Sequence, residues 1–153
     1  MSDEPSRFTM AHLLFRTDSV IWLYCLDTKG SFDGLRLLDL NSVERVKAAT
    51  AYIRERCTAQ TDMVAERKLV ETLSSFDSLF RFLRDGQEVC TLVFENDVHS
   101  GIIIDYDDDW LKIKFFNEES LRFDGESLLN RSDLVYVWIR SIFEERVSSF
   151  VLE

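Results

Sequence analysis

The chain predicts an α+β fold that is mostly β: two small antiparallel β units, the first incomplete, joined by an α-helical segment. Three observations carry this. Between residues 90 and 137, short runs rich in Val, Ile, Leu and aromatic residues alternate with Asn, Asp and Gly, as in consecutive antiparallel strands. Part of the pattern occurs twice: Phe32-Asp33-Gly34 returns as Phe123-Asp124-Gly125, 91 residues on. At that offset Asp18 falls on Asp109, Leu37-Leu38 on Leu128-Leu129 and Val46 on Val137, while Val20, Trp22 and Tyr24 fall on Leu111, Ile113 and Phe115. Between the copies, Leu69, Leu73, Phe76, Phe80 and Leu83 recur at alternating intervals of four and three, a helical face. The expected division is residues 1–46, a partial β unit; 47–86, a helical connector; and 87–153, a β unit with a C-terminal tail. One proline and five glycines leave no material for a flexible linker, so the parts are expected to pack as one body.

Residues 1–6 are polar. The run 7–16 mixes Phe8, Met10, Leu13, Leu14 and Phe15, and 19–26 alternates Val20, Trp22 and Tyr24 against Ile21, Leu23 and Cys25. Both faces of the second run are apolar, which predicts a strand covered on each side. Residues 28–34 (TKGSFDG) have the composition of a turn that needs positive φ, and 35–40 resumes as a strand. Residues 43–46 are a short further strand or the start of a helix. The 47–57 run has the alanine content and the Ala49, Ile53, Cys57 spacing of a helix. Asp62 can cap a second helix that reaches residue 86, with Arg81 and Arg84 suited to its negative end, Gly86 to its C-cap and Ser74-Ser75 to a kink. Strands follow at 88–95, 100–106, 110–116, 127–129 and 134–139, with turns at Asn96-Asp97 and 107–109 and a long polar loop at 117–125. Ile142, Phe143, Val147 and residues 150–152 form an apolar tail that must dock on the core or meet another chain.

The net charge of −10 is unevenly placed. From Gln87 onward there are 15 acidic and 6 basic side chains, against 13 and 12 before it. A field of that sign repels phosphate backbones, which disfavours nucleic acid and favours basic partners. Cys25, Cys57 and Cys90 are odd in number and make no Cys-x-x-Cys pair, as expected in a reducing compartment. There is no basic start followed by an apolar core, and no run nears the roughly 18 apolar residues of a membrane span. The expectation is a soluble, cytoplasmic protein with no membrane contact.

The order of a helix, then 86–96 (GQEVCTLVFEN), 101–107 (GIIIDYD), 110–113 (WLKI) and 130–137 (NRSDLVYV), resembles an Sm-like small β-barrel over about residues 76–139. Residues 8–46 look like a degenerate partial copy, so the resemblance implies two Sm/SH3-like barrel units, the first incomplete. It also implies five strongly bent strands and a glycine in the second, where the sheet folds over itself; Gly101 stands there. Homo-oligomers would assemble through strand edges, and Leu134–Ile139 would present one. RNA-binding members use an Asn after the second turn and an Arg-Gly pair between the fourth and fifth strands. Here Leu111 stands near the first and Arg131 is followed by Ser132, so that set is incomplete. What remains, Arg122 and Arg131, would be the contacts for RNA or a small nucleotide held between subunits.

Asp105, Asp107, Asp108 and Asp109 are the densest carboxylate cluster. An EF-hand loop counted from Asp105 would need Gly at its sixth position and Glu at its twelfth, where Trp110 and Phe116 stand. Strand alternation also parts Asp105 from the others, so no metal and no cofactor are expected. An acidic turn between strands is a sufficient structural account of the cluster. Its functional reading is a protein contact in which Trp110, beside the acidic rim, is the anchor for a basic partner. His12 and His99 have no ligand spacing, and no nucleophile elbow, P-loop or dinucleotide glycine pattern occurs. The sequence thus points to a non-enzymatic protein-binding or assembly module, of inhibitor or immunity type. The alternative is the RNA or nucleotide reading through Arg122 and Arg131; metal-dependent hydrolysis at the aspartates ranks last.

Overall fold

The computed structural model describes residues 10–40 and 63–151. Strands β1 (Met10–Arg16), β2 (Val20–Leu26) and β3 (Phe32–Asp39) form a meander, followed by helices α1 (Val64–Glu71) and α2 (Phe76–Gly86). Then come β4 (Val89–Phe94), β5 (Val98–Tyr106), β6 (Trp110–Asn117), β7 (Arg122–Asn130), a 3-10 turn (Arg131–Asp133), β8 (Leu134–Ile139) and α3 (Ile142–Val151). The fold is α+β and mostly β. Its eight strands make one antiparallel sheet in the order β1-β2-β3-β8-β4-β5-β6-β7. The readings of 43–46 and 47–57, the Asp62 cap and Cys57 lie outside the described residues. Among the described residues, no helix is long and apolar enough to cross a membrane.

The turn after β2 is tighter than its composition suggests. Asp27 Oδ1 accepts the N–H groups of Lys29 and Ser31 at 2.8 and 2.9 Å, and the strand has restarted by Phe32. Asp33-Gly34 is instead a bulge inside β3, two residues opposite Cys25, with Gly34 at φ 89°. A Cβ on Gly34 would lie 2.4 Å from Trp138 Nε1 and 2.6 Å from the Ile139 carbonyl oxygen. The second triplet does the same in β7: Asp124-Gly125 bulges opposite Phe115, with Gly125 at φ 85°. Both corners therefore open the third strand of a three-strand meander. The pleat does not follow, since Leu37 is fully buried and Leu128 is 63% exposed.

The expected long helix is two. Helix α1 stops at Glu71, and Ser75 caps α2, its Oγ accepting the N–H of Ser78 at 3.1 Å while Ser78 Oγ accepts the N–H of Ser75 at 3.0 Å. Helix α2 buries Leu79, Phe80 and Leu83 and ends at Gly86, with Gln87 instead of Gly86 taking the left-handed cap conformation. The Trp22 indole N–H donates to the Leu73 carbonyl at 2.6 Å, so the first meander satisfies an orphan carbonyl at the end of α1. One apolar core unites the halves, with Trp22, Leu35 and Leu37 packed in the same cluster as Phe80, Leu92, Leu111 and Val137.

The run β8-β4-β5-β6-β7 must curl. Asn130 ends β7 and Leu134 begins β8. Four residue steps reach at most about 14 Å, whereas four flat strand spacings measure about 19 Å. Gly101 permits the bend: a Cβ there would sit 2.3 Å from the Lys114 carbonyl oxygen and 3.0 Å from Phe115 Cα.

One expectation about assembly surfaces is corrected, and an alternative left open for the tail is decided. Leu134–Ile139 is no edge, because β8 pairs with β3 on one side and β4 on the other. The apolar tail is the docked helix α3, whose Val147 is buried with Val89 and Phe116, and whose Phe150 ring lies 5.6 Å from that of Phe116. The predicted loop 117–125 is shorter as well, since β7 begins at Arg122.

Candidate functional site

The β5–β6 turn holds the aspartate cluster in a fixed shape. Asp107 Oδ1 accepts the N–H groups of Asp109 at 2.8 Å and Trp110 at 2.7 Å, and the Asp107 N–H donates to the Trp110 carbonyl at 3.0 Å. Asp is suited to this position because its short carboxylate replaces a backbone acceptor two and three residues on. Those backbone bonds, from Asp109 first and then Trp110, hold the Asp107 carboxyl below the usual range. Asp108 and Asp109 are exposed beside it. Asp105 stands apart, its Oδ1 accepting the N–H of Tyr106 at 2.9 Å just after a bulge at Ile104. Among the described residues no group of three His, Cys, Asp or Glu side chains converges to hold a metal.

Trp110 opens β6 on the outward face and is 41% exposed. Its cross-strand partner is Asn130, and the next outward pair is Lys112 with Leu128. Lys112 is paired with Glu126 at 3.2 Å. The site is thus a half-exposed indole with an acidic turn at one end and an exposed leucine on the neighbouring strand. Leu128 was missed from the sequence, where the 91-residue offset placed it on the buried Leu37; its own alternation with the partly buried Ser127 and Leu129 was the available signal.

The two arginines of the alternative reading do not meet. They lie at opposite ends of β7, roughly 25–30 Å apart by strand rise. Arg131 is also committed. Its Nη2 pairs with Asp77 at 2.9 Å, its Nη1 donates to the Asp107 carbonyl, and its guanidinium lies 4.9 Å from the centre of the Phe80 ring. Its backbone N–H donates to the Asp109 carbonyl at 2.8 Å. Arg131 therefore straps α2 to the acidic turn, and Arg122 stands exposed without it. Such a strap rigidifies the turn that carries Trp110, which lowers the ordering cost of any contact made there.

A second polar cluster lies under α3, farther along the same outward face of the sheet. Glu144 is buried against Thr91, Ser100 and Ser141, in a half capping box that holds the helix to β4. A cleft of about 350 Å³ beside it is lined by Glu88, Arg140, Glu144, Glu145 and Ser148, and Arg140 closes on Glu88 at 2.8 Å. Its charged groups are used within the fold. The chain matches no family model, no curated protein and no solved structure.

Proposed function

We propose that this chain is a protein-binding module, with no chemistry of its own, built on an Sm-like β unit whose outward β6–β7 face is the contact surface. The fold reading is supported by the helix before β4, the curled order β8-β4-β5-β6-β7, the 3-10 turn between β7 and β8, and the close approach at Gly101. The observation that carries the function is Trp110, half-exposed on a turn fixed by Asp107 and strapped by Arg131. A rigid aromatic anchor with charge at its rim is the usual anatomy of an interaction hot spot, and the acidic rim favours a basic partner. The nucleotide reading has no comparable support, because Arg131 is spent on Asp77 and the Asp107 carbonyl.

The test is affinity capture from native lysate with the intact chain, Trp110→Ala and Asp108→Lys, each with and without ribonuclease. Loss of a hot-spot aromatic costs about 2 kcal/mol or more, so the partner recovered with the intact chain should be depleted at least tenfold with Trp110→Ala. Asp108→Lys should weaken recovery most at low salt. Equal recovery with all three chains, or recovery that ribonuclease abolishes, would end this reading.

A further inference from the structure

Strand β7 is an outer strand of the sheet, and among the described residues it pairs with β6 alone. An outer strand is a template for another strand unless charge, a bulge or proline blunts it. The first half of β7 is blunted by Arg122, Asp124 and the bulged Gly125, while the charge of Glu126 is met by Lys112 at 3.2 Å. The second half is not. Ser127, Leu128 and Leu129 carry no charge, and Leu128 is among the most exposed large apolar side chains described.

The same chain shows what fills such an edge. Strand β3 holds the place in the first meander that β7 holds in the second, and each opens through a Phe-Asp-Gly bulge with a positive-φ glycine. The edge of β3 is filled: Leu35, Arg36, Leu37 and Leu38 pair antiparallel with Ile139, Trp138, Val137 and Tyr136 of β8. At the 91-residue offset those four positions are 126–129. A second copy cannot supply the equivalent of β8, since that strand is enclosed between β3 and β4 in every copy. Nor do two β7 strands suit each other, because each belongs to the part of the chain with 15 acidic and 6 basic side chains.

We propose that β7 accepts an extended strand from a different protein, added antiparallel along residues 126–129, apolar at alternate positions and flanked by basic residues. This deepens the protein-binding reading and rests on it. Main-chain bonds to β7 supply affinity, and alternate side chains of the added strand meet Leu128 on the outward face. Trp110 is paired with Asn130 at the C-terminal end of β7, so the antiparallel strand begins at the end of β7 nearest the acidic turn, where its basic N-terminal flank is neutralised.

The probe is a synthetic peptide of residues 132–141, the chain's own β8 with its flanks, carrying two added lysines at each end. It is titrated into the intact chain by fluorescence anisotropy and followed by hydrogen exchange with mass spectrometry. Saturable binding is expected, with exchange slowed over β7 and unchanged over β3 and β8. Leu128→Lys, at an exposed position, should keep the melting temperature and weaken the peptide at least about tenfold. Slowed exchange at β3 or β8 would mean that the peptide replaces the internal strand and would overturn the proposal, as would no binding. A chain that dimerises alone with β7 protected would overturn it in favour of a second copy. A natural partner lost with Trp110→Ala but kept by Leu128→Lys would leave the protein-binding reading standing and remove the added strand.

Discussion

Replacing Glu144 by Ala and by Gln should have unequal consequences for a reason visible in three bonds. Glu144 is 2% exposed at the start of α3. Its Oε1 accepts the N–H of Ser141 at 3.1 Å, and its Oε2 accepts the hydroxyls of Ser141 at 2.7 Å and Thr91 at 3.1 Å. Alanine strands a buried helix-terminal N–H and the Ser141 hydroxyl, and leaves the Thr91 hydroxyl with Ser100 alone. At about 1 kcal/mol per bond, and more for a buried donor left unpaired, the cost is about 2–4 kcal/mol, a large share of the roughly 5–15 kcal/mol that stabilises a domain. Glutamine keeps the shape. Its oxygen accepts from Ser141, and its amide donates to the two hydroxyls, which rotate to accept, so its cost at neutral pH stays below about 1 kcal/mol. Urea titrations followed by tryptophan fluorescence read both values from the midpoints at unchanged slope. The pH dependence is a second readout. Burial raises the Glu144 carboxyl above its ordinary value, against the opposing bonds from Ser141 and Thr91. The native chain therefore binds this proton more tightly than the unfolded chain. Its contribution to stability is complete below the unfolded value, about 4.3, and is lost as pH rises through the raised native value. Wild-type stability minus that of Glu144→Gln should decline across that window. Equal costs for Ala and Gln, or a difference that is flat with pH, would refute the reasoning.

Gly101→Ala and Gly86→Ala should move the urea midpoint in opposite directions. A Cβ at Gly101 meets the Lys114 carbonyl oxygen at 2.3 Å, which only a shift of the β5–β6 ladder can relieve, at about 1–3 kcal/mol. A Cβ at Gly86 meets nothing within 4 Å, and the substitution should add about 0.4–1 kcal/mol by restricting the unfolded chain; shifts of the same sign would contradict the geometry. The thiols of Cys25 and Cys90 should resist iodoacetamide in the folded chain and react at the unfolding midpoint of urea. Burial pushes Cys25 up to about 12 and Cys90 further in the same direction, so neither offers thiolate at neutral pH. Peptide mapping that finds either alkylated without denaturant, at the rate of a free thiol, would show that the site opens.

Local pattern was enough for the elements whose two faces differ sharply from their flanks. The strand predicted over 19–26 is β2, with Val20, Trp22 and Tyr24 buried on one face and Ile21 and Leu23 partly buried on the other, and the turns at 96–97 and 107–109 fall where Asn and Asp stand. Where a strand faces water the pattern weakens. Residues 122–125 read as loop because Arg122 and Asp124 are charged and the bulge at Gly125 breaks the alternation. Helix α3 was legible in principle: Ser141 and Glu144 have the spacing of a capping box, but the short apolar run after them looked like a tail. The place of β8 was not legible at all. Leu35 pairs with Ile139, 104 residues further along the chain, and nothing local in either strand names the other.

The site divides along the same line. The acidic turn is a local structure made by Asp107 and its next three residues, so its shape follows from four letters of sequence. Arg131 is the converse case. In sequence it is an unclaimed cation near an interrupted nucleotide motif, but in the fold Asp77 and Phe80 arrive from α2 and convert it into a strap. The repeat shows why even a true similarity can mislead about exposure. Both meanders share strand order and bulge, and their middle strands bury the same positions, yet in the third strand the pleat is shifted by one residue, so Leu37 is sealed in the core and Leu128 is turned outward. A duplicated unit thereby acquires two fates from one pattern. The third strand of the first copy is consumed in pairing with β8, whereas among the described residues that of the second pairs with β6 alone and carries Leu128 on its surface, the edge where a partner strand is proposed.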